Sequence, residues 1–370
     1  MKGKKALDVY MHEKHVGTLA ETKEHLVAFE YSDEWLNDGF SISPMSLPLR
    51  KEVFVPKKYE TFDGLFGVFA DSLPDGWGRL LVDRFLLKHQ VNPANINQLT
   101  RLAIVGKSGM GALEYRPSSE MKIELSGMSL DELAMECSKM FDTEHSDHLD
   151  ELFRMGGSSG GARPKVNYEI DGEEWIVKFP SSIDRENIGK EEYDYSICAR
   201  KCGLSIAETK LLPSNHCMGY FAAKRFDRDQ KEKIHMVSVS GLLETSHRVP
   251  NLDYNILMQL TLQLTRNYEE IKKLFKWMCF NVFAHNRDDH SKNFSYLYKD
   301  GEWHLSPAYD LTYSNSIGGE HATTVNGNGM APDIYDILEV AKKAKMDEKK
   351  ALADAEAIQE IVNMELKAYL

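Results

Sequence analysis

The stretch HNRDDHSKNFS at residues 285–295, followed at 306–314 by SPAYDLTYS, decides how this chain is read. It comes directly after an apolar helical run, Trp277–Ala284. A simple turn needs two or three polar residues, and here nine, His285–Asn293, stand together before the next strand. Asp288 and Asn293 are five residues apart, Lys292 lies between them, and Asp310 follows the strand-like EWHLSPAY. Singly, Asp, Asn and His in a loop are turn formers and caps. In this order they make a set: carboxylate, ammonium, amide, second carboxylate. Asp289 reads as a solvated or helper carboxylate, because its neighbour Asp288 has the better distance to Asn293.

Phosphoryl transfer is the chemistry that such a set suits. It asks little covalent work of a protein and much positioning of charge. A carboxylate must orient the attacking hydroxyl, oxygen ligands must hold Mg²⁺, and cations must meet phosphates. The Asp-to-Asn separation here equals that of the H-R-D-L-x-x-x-N kinase loop. Asp288 is therefore the candidate catalytic carboxylate, Asn293 and Asp310 the candidate metal ligands, and Lys292 a cation for the transferred group. His285 and His290 make a poor metal pair within a loop, and a phosphate contact suits His290 better.

The nucleotide clamp must lie upstream. MGGSSGGARPK at 155–165 carries four glycines and two serines, so backbone N–H groups around Gly160 and Gly161 could approach phosphates closely. Lys178 in EWIVKFP resembles the V-A-I-K strand of kinases, with Glu192 on the following helix as its ion-pair partner. In AAKRFDR at 222–228, the backbone around Lys224–Phe226 could meet an adenine edge and Asp227 could accept from ribose hydroxyls.

Around these motifs the chain of 370 residues divides into a β-rich part at 1–125, a strand-rich part at 126–225 and a mostly helical part at 226–370. KALDVYMHEKHVGTL and HLVAFEYSDEWL alternate like a meander, and residues 118–130 read as a linker ending in a Ser129–Glu132 capping box. Asp171-Gly172 predicts a hairpin, and Asn187 to Cys202 a helix stopped by Gly203. Helical periods run through Leu257, Leu260 and Leu264, through Ile271, Leu274, Phe275, Met278 and Val282, and through Leu352, Ala355, Ile358, Val362 and Leu366. The fold class is α+β, bilobal and protein-kinase-like, with a small N-terminal β-rich domain.

A hydrophobic content of 42% suits a globular chain, and no apolar run nears the ~18–20 residues of a membrane span. Five scattered cysteines read as ordinary thiols, and the N-terminus lacks a signal-peptide pattern, so a cytoplasmic location is expected. A formal net charge of −12 disfavours direct binding to nucleic acid, leaving DNA to be reached through a partner.

The motifs together resemble the HipA family of toxin kinases. The matching stretches are SSGGARPK, VKFP, EEYDYSICARKCGL, KRFDR, NRDDHSKNFS, LSPAYDLTYS and HATTVNGNG, with VGTL, DSLPDGWGR and GALEYRP upstream. The resemblance implies Mg-ATP as cofactor, Asp288 as catalytic Asp, Asn293 and Asp310 on Mg²⁺, and Lys178 and His290 on phosphates. It also implies autophosphorylation at Ser158 or Ser159, and a HipB-like helix-turn-helix antitoxin that carries the complex to DNA. The implied substrate is a protein, such as an aminoacyl-tRNA synthetase or a translation factor. Three positions depart from the family pattern: Asp289 where Gly is frequent, Lys224 where some members are acidic, and the doubled serine. The alternatives are a small-molecule phosphotransferase and a nonenzymatic corepressor subunit.

Overall fold

The alternation at the N-terminus folds into a hairpin in which Ala6–Met11 pairs antiparallel with Lys14–Glu21. Its turn is made by His12 and Glu13, both at positive φ (48° and 65°), the twist that a two-residue hairpin turn requires. Leu7, Val9, Met11 and Leu19 point inward and are buried, as the period of two demands. Val27–Tyr31 and Val53–Phe54 extend the sheet on one side and Glu114–Arg116 on the other, giving five antiparallel strands. The computed structural model describes residues 3–119, 127–141, 146–181, 184–230, 232–316 and 318–370, so the expected 118–130 linker lies partly outside the described residues.

These residues form two compact units, the first made of Met1–Gly189, Leu211–Val237 and Gly241–Thr245, the second of Lys190–Lys210, Ser238–Ser240 and Ser246–Leu370. Helices and sheets are mixed as the α+β reading expects. A second sheet in the first unit begins with Lys165–Ile170 and Glu173–Lys178, joined through Asp171-Gly172 at φ 54° and 79°, and Tyr220–Lys224 pairs with the latter strand. Its buried side chains include Val166, Trp175, Val177 and Ala222, and they share one core with Trp77 and Leu81 from the helix Gly76–Lys88. Leu133, Cys137 and Met140 from Leu130–Phe141 complete it. The Ser129–Glu132 box starts that last helix, with the Ser129 amide donating to Glu132 at 2.7 Å. Because an indole from the DSLPDGWGR segment is buried under the second sheet, residues before and after 125 fold as one body.

The helix Ile188–Lys201 ends before Gly203, which adopts φ 75°. From Lys190 onward it belongs to the second unit rather than to the strand-rich part. The reason is its inner face: Tyr195 is fully buried and donates its hydroxyl to the Ala284 carbonyl at 2.9 Å. The helices Tyr254–Thr265 and Tyr268–Phe283 are capped by Asp253 and Asn267 and bury every apolar position expected of them. In Glu348–Glu365 the buried face is Ala351, Ala355, Ile358 and Val362, whereas Leu352 is 37% exposed. One residue rotates a helix by about 100°, so the small Ala351, not Leu352, meets the neighbouring helix. All five cysteines are free, and no helix among the described residues is long and apolar enough to cross a membrane.

His235 makes the first unit sensitive to acid. The ring is buried and its Nε2 donates to the Ile42 carbonyl at 2.8 Å. Burial lowers its pKa from 6.5 to about 4, with the Ile42 bond opposing. An unfolded chain protonates this ring near 6.5 and the folded one only near 4, so its contribution to stability is complete above 6.5 and lost on acidification through that window. The loss should reach on the order of 3 kcal/mol. Urea unfolding between pH 7 and 4.5 should show a steeper decline for the parent than for His235→Gln.

Candidate active site

In the second unit, the chain leaves the helix Tyr268–Phe283 through Ala284 and His285, the latter at φ 51°. The Asn286 amide turns back to the Asn281 carbonyl at 2.9 Å, and Ser314 and Ala322 donate to the carbonyls of His285 and Arg287 at 3.1 Å each. The loop is thus stitched on both sides before it reaches its two carboxylates.

Those carboxylates point opposite ways. The Asp288 side chain is 56% exposed, while that of Asp289 is 0% exposed. Asp289 accepts from the Tyr254 hydroxyl at 3.1 Å, from His321 Nδ1 at 3.0 Å and from the Thr323 amide at 3.1 Å. The Thr323 hydroxyl donates to the Asp289 carbonyl. Behind Tyr254 the chain of bonds continues, Asn281 donating to its hydroxyl at 2.9 Å and Asn286 donating to Asn281 at 2.9 Å. Burial first, and Asp289 next, push the Tyr254 hydroxyl well above its ordinary pKa, so it remains a donor. Of the two expectations for Asp289, a solvated or a helper carboxylate, the solvated one is corrected: it is a buried anchor, paired because an unpaired buried carboxylate would be too costly.

Asp288, by contrast, is held through its backbone. Its carbonyl accepts from Asn293 Nδ2 at 2.7 Å, which turns the Asn293 Oδ1 the other way. A short 3₁₀ turn, Ser291–Asn293, lies between them, and His290 caps it by accepting the Lys292 amide on Nδ1 at 3.2 Å. In that arrangement Nε2 carries the imidazole proton, and it stands 3.7 Å from Asp288 Oδ1. The hairpin Ser295–Lys299 with Glu302–Leu305 then brings the chain back. Tyr309 donates to the Lys292 carbonyl at 2.6 Å and shares a 2.7 Å bond with Ser295, so the residue before Asp310 is tied to the loop. Asp310 adopts φ 57°, a left-handed conformation costing about 1–3 kcal/mol in a non-glycine residue and concentrated at functional sites. Glu191 accepts from Thr312 just beyond, at 3.3 Å, and Glu192 beside it is 3% exposed. His285 is half-buried near Arg287 and His321; burial first, and the Arg287 guanidinium next, lower its pKa.

The upstream candidates lie in the first unit, apart from Glu192, which belongs to the second. Lys178 ends its strand with Nζ 5.6 Å from the centre of the Phe221 ring. Lys224 ends the strand Tyr220–Lys224 and pairs with Glu173, and Phe226 is half-buried beyond it. Asp227 is corrected. It is fully buried, bonded by Arg225 Nη2 at 2.7 Å, Arg228 Nη1 at 2.8 Å and the Gly111 amide at 2.8 Å. Burial alone would raise its pKa, but the two guanidiniums and the amide outweigh it and hold it at about 2. It is a structural anion with no face for a ribose. In the Gly-rich loop, Gly160 and Gly161 are exposed, whereas Ser158 and Ser159 are each 8% exposed.

Tyr254, Asn281, Asn286 and Thr323 were not singled out by sequence reasoning. A lone Asn281 in an otherwise apolar helical run was the available signal. The two adjacent aspartates should now separate by experiment. Asp288→Asn should leave the urea midpoint within error of the parent. Asp289→Ala orphans three buried donors and should cost about 3 kcal/mol or more.

Comparison with known proteins matches two stretches of the chain. Residues 7–116 match the HipA N-terminal domain and residues 157–366 the HipA-like C-terminal domain. The serine/threonine-protein kinase toxin HipA of Shewanella oneidensis is 23% identical over 342 residues, covering 82% of this chain and 74% of that protein. Y4mE of Sinorhizobium fredii is 25% identical over 341 residues, covering 83% and 77%. A chain in the solved complex of Shewanella oneidensis HipA, HipB and operator DNA has the same fold, with a TM-score of 0.74 over 98% of this chain and 90% of its own, at 18% identity. With the C-terminal match spanning more than half its length, this chain belongs to the HipA family.

Proposed function

We propose that this protein is a serine/threonine protein kinase that moves the γ-phosphoryl group of Mg-ATP to a protein hydroxyl. One observation carries the reading: of two adjacent carboxylates, Asp289 is buried as an anchor and Asp288 is turned out beside His290. A structural loop has use for the first only. An outward carboxylate held by an over-determined backbone is what a hydroxyl-orienting group requires.

The donor set fits magnesium. Mg²⁺ takes oxygen ligands, commonly one or two from protein and the rest from phosphates and water. Asn293, whose Nδ2 is engaged, has Oδ1 to offer, and Asp310 is held in an otherwise unfavourable conformation beside the same loop. Mg-ATP, when bound, supplies the transferable group and neutralises charge developing on its oxygens. Asp288 orients the acceptor hydroxyl and takes up its proton. Lys292 and the Nε2–H of His290 present positive or donor groups to the transferred phosphoryl. Lys178, the backbone of Gly160 and Gly161, and the chain at Lys224–Phe226 are the proposed nucleotide contacts, with Glu192 orienting Lys178. Asp227 is not among them.

Ser158 or Ser159 is the proposed regulatory acceptor, since a phosphoserine adds about −1.5 to −2 charge in the loop meant for phosphates. A helix-turn-helix antitoxin is the proposed partner, supported by the HipB and operator DNA that accompany the similar Shewanella protein. A protein of the translation apparatus is the proposed substrate.

Asp288→Asn should lower ATP turnover by at least ~10²–10⁴-fold, the usual range for a general base. Parental turnover in that variant would remove the Asp288 assignment, whereas no turnover of Mg-ATP by the parent would favour the corepressor alternative. Asp310→Ala should weaken binding of Mg-ATP far more than of metal-free ATP. Calorimetry with and without magnesium reads that difference.

A further inference from the structure

We infer that Asp75 is a positioning residue that clamps the Gly-rich loop and keeps its serines buried. Asp75 occupies the N-cap of the helix Gly76–Lys88, where an Asp ordinarily accepts an amide of its own helix. Here it makes no capping bond. Its Oδ1 instead accepts the amide of Gly161, 86 residues on. Two residues later, the Trp77 amide donates to the Gly161 carbonyl at 2.9 Å. Gly161 is thus gripped on its N–H by Asp75 and on its C=O by Trp77.

The fit around this grip leaves no room for side chains. A Cβ on Gly76 would stand 2.4 Å from the Gly161 oxygen, and one on Gly78 would stand 2.2 Å from the Ser159 oxygen. Gly76 and Gly161 both hold positive φ, 43° and 83°. From the other side, Lys165 Nζ donates to the Gly160 carbonyl at 2.6 Å, and the Trp77 indole donates to the Lys165 carbonyl at 2.9 Å. Ser158 and Ser159 lie inside this frame, and the Ser159 hydroxyl donates to the Gly156 carbonyl at 2.5 Å.

Both serines are buried and the Ser159 hydroxyl is also hydrogen-bonded, so phosphorylation of either requires the clamp to open. That consequence rests on the kinase reading, whereas the clamp itself does not. Asp75 also sets where the loop amides stand when nucleotide arrives, which makes it a control on ATP affinity as well as on modification.

The clamp is tested without nucleotide. Hydrogen exchange at Gly160–Ala162 and maleimide labelling of a Ser158→Cys protein should both speed up about tenfold or more when Asp75→Ala is added, the effect of losing one charge-assisted bond. Asp75→Asn keeps an acceptor oxygen and should recover most of the protection. Gly78→Ala keeps the carboxylate but displaces Ser159, and should loosen the same amides. Parental exchange in Asp75→Ala, or a loss of protection spread evenly through the first unit including the strand Ala6–Met11, would overturn the proposal. With Mg-ATP added, Asp75→Ala should raise the ATP KM more than it lowers kcat and increase phosphate on the loop serines. Phosphate on neither serine in any variant counts against the regulatory reading above, and the exchange data still decide the clamp.

Discussion

A carboxylate buried away from water must be met by donors, and in the second unit that demand organises the loop around Asp289. Tyr254, His321 and the Thr323 amide converge on it from segments far apart in sequence. Each partner is itself committed: Tyr254 accepts from Asn281, and Asn281 from Asn286 at the start of the loop. Anchoring Asp289 inside holds the backbone from which the exposed Asp288 side chain departs. The reacting position is therefore determined by its neighbour's burial, and Asn293 completes the restraint by bonding the Asp288 carbonyl.

The first unit solves a related problem with smaller means. A glycine-rich loop has little side-chain material with which to define its own shape, and glycine carries the largest entropic cost of ordering. Its definition comes from the N-terminal segment, whose Trp77 is buried in the core of the second sheet and whose Asp75 and Trp77 backbone grip Gly161. This explains why the matched N-terminal domain, 7–116, and the early part of the match at 157–366 fold together in the first unit. The N-terminal part is a support for the loop as well as a sheet of its own.

Asp227 shows how an acidic residue at a plausible binding position can be structural. Two guanidiniums and an amide saturate it, and the same carboxylate ties the 225–228 turn to Gly111. A buried ion cluster of this kind adds specificity of arrangement more readily than net stability.

By itself the sequence determined whatever depends on short-range geometry. The period of two in Ala6–Met11, the Asp171-Gly172 turn, the Ser129–Glu132 cap and the helical faces around Leu257 and Leu274 all follow from steric and hydrogen-bonding rules acting over a few residues. The five-residue interval from Asp288 to Asn293 belongs with them, since a short turn closes it. Only the tertiary structure decided which of two adjacent aspartates is buried, that Asp227 is enclosed by arginines, that Ala351 rather than Leu352 faces inward, and that Asp75 reaches Gly161. In most of these the partner is many tens of residues away, and a side chain's hydration is set by that partner. Local pattern carries no record of it: a carboxylate that will be buried and one that will face solvent are the same letter until the chain has closed around them.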